Sequence, residues 1–398
     1  MAAKVLHIKR KLTIPPESVV NVRNFRCREG EAVDAEITLR DPNLSLYCVD
    51  DSKKRAIFVE TPPNIDLSVA PFYYQAQFQH ALRLLAVPYE DLHRLAGGAG
   101  DPFEKLVLIY SVGRCGSTLL SKIFNQVNEV VSLSEPDVFT QIVALRNPDG
   151  SRDREIEELL FSCTRFLGKP ASGKRVPCLV IKLRSFCIEI GDLMYRAFPH
   201  ARNIFLYRNA EDVIESLIRT FGELGFWGRT FKAAKSSRLA KFWLRFFVAR
   251  RKKTLDRLIP LIRDYPSRTY TDLGSVGLLL IMWLSVMHRY LLLYRQGIPM
   301  IGLRYEDLIA NPQEMVKSLF EYCGLPVWEV PKVCRVFEQD SRLDSRLPRK
   351  LSPLPSLPPL PPRRYLDLKD LVKMYHFLKS HPDVQTPYFV APGTLIVE

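Results

Sequence analysis

Several features that would mark out other protein classes are missing from this sequence. Its eight cysteines are scattered over 398 residues with no close pairs of the metal-binding kind, so they read as mostly buried thiols in a reducing compartment. The N-terminal MAAKVLHIKRKL contains no long apolar segment, and no secretory signal is expected. The longest apolar stretch, around Val276–Met287, is too short to cross a bilayer before His288 and Arg289 interrupt it. Internal repeats are absent. Together these absences lead to the expectation of a soluble, cytoplasmic protein. Acid is also in short supply: 43 Asp and Glu stand against 57 Lys and Arg, a formal charge of +14. That balance suits an anionic ligand, substrate or surface without choosing among them.

What is present is a globular composition, 47% hydrophobic and 25% charged, in a chain long enough for one large domain with an appendage or for two domains. Residues 1–100 read as an α+β appendage. Strand-like runs at Val5–Ile8, Ala35–Leu39, Leu46–Val49 and Ala56–Glu60 are separated by loops, a helix is expected over Tyr73–Leu85, and Gly97–Gly100 reads as a hinge. From residue 101 onward strands alternate with helices. The strands are Lys105–Tyr110, Val130–Leu133, Cys178–Leu183, Asn203–Tyr207 and Met300–Leu303. The helices are Ser117–Val127, Arg154–Leu167, Ile188–Phe198, Ala210–Phe221 and Pro312–Tyr322, the last opened by a first-turn proline. This alternation predicts an α/β domain over 101–398, a parallel sheet with helices on both faces. In such sheets ligands sit at the carboxyl ends of the strands.

The chain is organised around KLVLIYSVGRCGSTLL, residues 105–120. A buried strand runs into a small, Gly-bearing turn and then into a helix. Gly113 and Gly116 let backbone approach an anion, the free N–H groups of the helix start point at it, and Arg114, Ser117 and Thr118 add side-chain donors, with Cys115 between them. An ordinary strand-to-helix turn has the same outline, so the loop alone does not decide the matter. Three other strands end in basic residues: Lys182 followed by Arg184, Arg208, and Arg304 followed by Tyr305. A Walker A loop needs Gly-Lys-Ser/Thr, yet Ser117 directly follows Gly116. A Walker B strand ends in an aspartate that holds Mg²⁺, and Lys182 and Arg208 stand where it would be. The pattern is that of anion neutralisation by arginine and lysine without a metal.

These motifs resemble the family of 3′-phosphoadenylyl sulfate (PAPS)-dependent sulfotransferases, over roughly residues 105–323. SVGRCGSTLL is similar to that family's loop for the 5′-phosphosulfate. YRNAEDVIESLIRTF, with Ser216 eight residues after Arg208, is similar to its 3′-phosphate motif. LRYEDLIANPQEMVKSLFEYCGL is similar to its late strand–helix segment. The resemblance implies a P-loop-like fold, PAPS as cofactor and a cofactor-binding set of Gly113, Arg114, Cys115, Gly116, Ser117, Thr118, Arg208, Ser216 and Tyr305. It adds Ser345 from the segment 340–350, with Ser341, Arg346 and Lys350 as competitors. Arg219 resembles a further phosphate contact, one position off the tyrosylprotein-type pattern.

For catalysis the resemblance implies Lys182 as the residue that balances charge on the leaving phosphate. Cytosolic small-molecule members carry a histidine base two residues after that lysine, and here the position holds Arg184. The tyrosylprotein and many bacterial members use a glutamate after the second strand, a position matched by Glu135, 21 residues past Arg114. Asp137 competes with it, and an exposed loop acid is the plain alternative. The expected reaction is metal-independent transfer of a sulfuryl group to a hydroxyl or amine of a small molecule, glycan or peptide. Its rivals are a nucleotide-binding kinase or hydrolase and a non-catalytic polyanion-binding module. No nucleic-acid partner is expected. Residues 228–253, with ten Lys or Arg and no acid, read as a core-packing helix with a solvated basic side, or alternatively as a contact for an anionic surface. The proline-rich stretch 351–362 reads as a linker or cover.

Overall fold

The computed structural model describes residues 2–12, 19–169, 175–223, 252–265, 275–338 and 366–397. Two five-stranded sheets build it. The first comprises β1 (Ala2–Lys11), β2 (Phe25–Asp34), β3 (Leu44–Asp50), β4 (Arg55–Glu60) and β5 (Arg83–Pro88). Their order is β2-β1-β5-β4-β3, and every neighbouring pair is antiparallel. Side chains alternate between two cores with the period of a pleated strand. Phe58, Leu85 and Val87 face the main core, whereas Ile57, Val59, Leu84 and Ala86 join a smaller cluster with Tyr74 and Phe78. The N-terminal sheet therefore shares one apolar core with the rest of the chain through its inner face.

Two expectations for this region are corrected. Ala35–Leu39 is not a strand, because α1 (Ile37–Arg40) begins there. The Asp34 carboxylate accepts from the Glu36 N–H at 3.1 Å and Thr38 Oγ1 donates back to the Ala35 carbonyl at 2.7 Å, so local bonds turn the chain out of the ladder. The helix expected over Tyr73–Leu85 stops early, as α2 (Tyr73–His80). Its remainder enters β5, which fills the gap between β1 and β4. A short apolar run reads equally as helix or strand by periodicity, and the two open ladder edges on either side decide it. Next, α3 (Tyr89–Gly98) runs through half of the supposed glycine hinge.

The second sheet comprises β6 (Phe103–Ser111), β7 (Val130–Ser134), β8 (Val176–Lys182), β9 (Arg202–Tyr207) and β10 (Ile301–Arg304), in the order β10-β9-β6-β8-β7. All four pairings are parallel, as expected. Leu106–Ser111 of β6 and Cys178–Lys182 of β8 are buried at every position, which requires cover on both faces. Flanking helices include α4 (Ser117–Asn125), α5 (Val138–Leu145), α6 (Asp153–Leu167), α7 (Gly191–Ala197) and α8 (Ala210–Glu223). The helix expected over Ile188–Phe198 is split, with a 3₁₀ turn at Ser185–Ile190 preceding α7. The apolar helix Val276–Arg295 is long enough to cross a membrane, but 78% of its apolar window is buried inside the fold. Its Arg289 bonds Asp192 at 2.7 Å, so it is a central packing helix here.

Candidate active site

Register decides which residues meet. Ile109 and Ser134 both pair with Lys182, Ser111 pairs with Leu206, and Arg304 pairs with Tyr207. The strands therefore end level, and the residues that follow them emerge on one edge of the sheet.

In the middle of that edge lies the loop after β6. Gly113, Arg114 and Gly116 have φ of 76°, 54° and 83°. Such a left-handed run is costly for arginine, on the order of 1–2 kcal/mol. A side chain at Gly116 would put its Cβ 2.5 Å from the Tyr305 ring, so only glycine lets Tyr305 close over the loop. Gly116 caps α4 without a side-chain hydrogen bond, leaving the helix's first N–H groups free of a capping side chain. Arg114 Nε donates to Ser216 Oγ at 2.9 Å, which joins the loop to α8. Thr118 is half-exposed and Ser117 is buried. The Cys115 thiol is buried beneath the loop, 3.4 Å from the Leu206 carbonyl, and burial pushes it up to about 11. Cys115 therefore offers an anion its backbone but not its sulfur.

On the β9 side, Arg208 donates to Asp212 at 2.8 Å and its guanidinium lies 4.7 Å from the centre of the Tyr305 ring. Trp283 Nε1 pins the Arg208 carbonyl at 3.0 Å. The buried Nε of Arg208 has no partner among the described residues. Arg304 lies near Glu306 and Asp307. Arg219 is exposed on α8.

The β7–β8 side carries two ion pairs. Glu135 follows β7 with φ of 60° and donates its N–H to the Lys182 carbonyl at 2.7 Å. Its carboxylate pairs with Lys182 Nζ. Lys182 is only 2% exposed, while Glu135 retains 16%. Asp137 is fully buried. Its Oδ1 accepts from Arg184 at 2.9 Å and its Oδ2 from the Val20 N–H at 2.7 Å. Burial works against the Arg184 charge, but Asp137, Tyr74 and Glu135 outweigh it and hold the guanidinium protonated.

Each strand-end cation thus has a partner, and the edge is balanced rather than bare. Partners missed at the sequence level come from distant segments. The Phe72 ring lies 5.8 Å from Lys182 Nζ and the Tyr74 ring 5.6 Å from the Arg184 guanidinium. Ser134 Oγ clamps that segment through the Pro71 carbonyl at 2.7 Å. Burial pushes the Tyr74 phenol up to about 12. No spacing rule ties residues 71–74 to strands that begin only at Val130 and Val176; only a Phe-Tyr-Tyr run marks them. Ser345 and its competitors lie outside the described residues, as do the proline-rich stretch and all but the end of 228–253.

No curated protein matches the chain. Among solved structures it is similar to sulfotransferase STF1 from Mycobacterium tuberculosis H37Rv, at 12% identity and TM-score 0.40, over 61% of this chain and 75% of that one. It is similar to STF9 from Mycobacterium avium at 12% identity and TM-score 0.37, over 63% and 71%. A sulfotransferase from Alicyclobacillus acidocaldarius gives 15% identity and TM-score 0.35, over 69% and 90%. Scores this low leave the assignment to the sequence match with the sulfotransferase domain, which covers residues 104–341. That span holds the glycine loop, both ion pairs and the Arg208–Ser216 helix, and on this match the chain belongs to the sulfotransferase domain family.

Proposed function

We propose that the protein transfers a sulfuryl group from PAPS to a hydroxyl or amine acceptor, with Glu135 as general base. The observation that carries this is the pairing of Glu135 with Lys182 at adjacent strand ends, beside a glycine loop that opens an uncapped helix. The residues fit a doubly phosphorylated nucleotide. The loop between Gly113 and Thr118 opens helix α4 with no capping side chain, and the buried Arg208 Nε is a donor in want of an acceptor.

PAPS, when bound, supplies the sulfuryl group, and its phosphate oxygen keeps the electron pair of the broken S–O bond as 3′,5′-diphosphoadenosine (PAP) leaves. The loop N–H groups and Arg114 hold an anion at the α4 N-terminus. Arg208 suits the 3′-phosphate, since a guanidinium presents several donors to phosphate oxygens. Glu135 takes the acceptor's proton on a carboxylate oxygen as the acceptor oxygen or nitrogen bonds to sulfur. Lys182, nearly buried, keeps a donor beside the site of developing charge. Asp137 is a poor base because both its oxygens are already occupied.

Calorimetry tests the reading. PAP should bind, and EDTA should leave binding intact. Arg208→Ala should weaken PAP by ~1.5–3 kcal/mol and adenosine 5′-phosphosulfate, which lacks the 3′-phosphate, much less. Tighter binding of ATP than of PAP, or a need for Mg²⁺, would overturn it.

A further inference from the structure

The ribbon formed by β1 and β2 lies outside the residues that match the family. Its charge is arranged against its own stability. Arg10 stands directly opposite Arg26, and like charges so placed across a ladder are destabilising; Arg28, two positions on from Arg26, lies opposite His7. Lys9, Arg10, Arg23, Arg26 and Arg28 are all exposed, and none has an acid partner among the described residues. The nearest ribbon acids, Glu29 and Glu31, lie beyond Arg28, and Glu31 is engaged by His7.

This basic ribbon is tied to the active site at its Arg10–Arg26 end. Leu12 N–H donates to the Asn24 carbonyl at 2.8 Å, closing the ladder there. Lys11 Nζ donates to the Gln79 carbonyl of α2 at 2.8 Å, and α2 begins beside Phe72. The chain between the two strands comes to Val20, whose N–H bonds Asp137 two positions from Glu135.

Resting on the reading above, we infer that the ribbon binds an anionic polysaccharide and leads it to Glu135, so that the acceptor is a hydroxyl of an acidic glycan chain. A polyhydroxylated polyanion supplies both the negative charge that the arginines want and the hydroxyl that the chemistry needs. Nucleic acid is the poorer fit, because no Phe, Tyr or Trp stands among Lys4–Lys11 or Arg26–Asp34 on which a base could stack. An anionic bilayer is poorer too, because the ribbon's apolar residues Leu6, Phe25, Ile8 and Cys27 are packed in the smaller core.

The test uses the full chain with polygalacturonate, neutral dextran and oligothymidylate as probes, at about 0.15 M salt, with PAP titrated separately. Wild type should bind polygalacturonate but not dextran. Arg26→Glu/Arg28→Glu should weaken polygalacturonate at least about tenfold, and the milder Arg10→Gln should weaken it in the same direction. Lys369→Glu/Lys373→Glu, the same charge change on the exposed face of the C-terminal helix Leu368–Lys379, should leave it unchanged. PAP binding should stay at wild-type level throughout. The inference is overturned if wild type ignores polygalacturonate, if the two charge-reversed pairs lose it equally, or if oligothymidylate binds as tightly. Failure of wild type to bind PAP would strike the proposed reaction, whereas a failure confined to polygalacturonate would strike only the ribbon.

Discussion

Among the described residues four non-glycine positions have positive φ, and two of them, Arg114 and Glu135, stand at the candidate site. For Glu135 this backbone turn keeps the carboxylate at the strand edge, next to Lys182, and the bond from its N–H to the Lys182 carbonyl helps to hold it. Two positions on, Asp137 has the same functional group and a different task. Glu135→Gln should lower kcat by ~10²–10⁴ with PAP affinity within a few-fold, since an amide keeps the shape but takes no proton near neutrality. Asp137→Asn should act on stability: it leaves Arg184 charged and buried without its partner, a loss on the order of 3–5 kcal/mol visible as an early melt. Turnover at wild-type level in Glu135→Gln would remove it as the base. Lys182, Arg208 and Glu135 could be singled out in the sequence because each ends or directly follows a strand. Phe72, Tyr74 and Trp283 were not, since their roles come from packing between distant segments, whereas Asp212 is a local partner one turn past Arg208.

At the scale of elements, the strand–loop–helix of β6 and α4 was readable almost to the residue, because a continuous apolar run, a glycine turn and a helical period succeed one another without ambiguity. What could not be read was its lid. Tyr305, from the start of another helix, lies against Gly116 and stacks on Arg208. Gly116→Ala should therefore cost twice, through a Cβ 2.5 Å from the ring and through a φ of 83° that alanine resists. We expect a lowered melting temperature, by roughly 1–3 kcal/mol of stability, and weaker PAP binding. A variant with unchanged PAP affinity and melt would show that the Tyr305 contact is dispensable. The opposite case is Arg83–Pro88, where helical spacing carried the expected helix to Leu85 and the neighbouring ladders made the segment a strand instead.

For the molecule as a whole, a part-buried ionic cluster ties helices of the α/β unit together. Arg146 bonds both Asp153 and Asp192, and Arg289 bonds Asp192 and the Glu189 carbonyl. Glu189 is the misfit. Burial pushes its carboxyl up to about 7 from 4.5, against the pull of Arg289 and Arg146. The folded state thus holds more protons than the unfolded chain between pH 4.5 and 7, so this group's contribution falls as pH rises through that window and its full penalty applies above it. Glu189→Gln should match the parent near pH 4.5 and exceed it increasingly up to neutrality, by roughly 2–4 kcal/mol. Melts across that range check the sign, and a constant offset would assign the effect to packing instead.

The sequence by itself determined the parallel sheet, the anion-type loop and the basic strand ends, because strand and helix periods, glycine turns and residues just past strands are local properties of the chain. Tertiary structure alone decided that those basic ends are each matched by a partner, and that β5 completes a second sheet. It also decided that residues 71–74 and Val20 reach the edge that carries the candidate site. Apart from local pairs such as Arg208–Asp212, each of these depends on which segments lie side by side after folding, and contact between residues tens of positions apart leaves no period in the sequence to read.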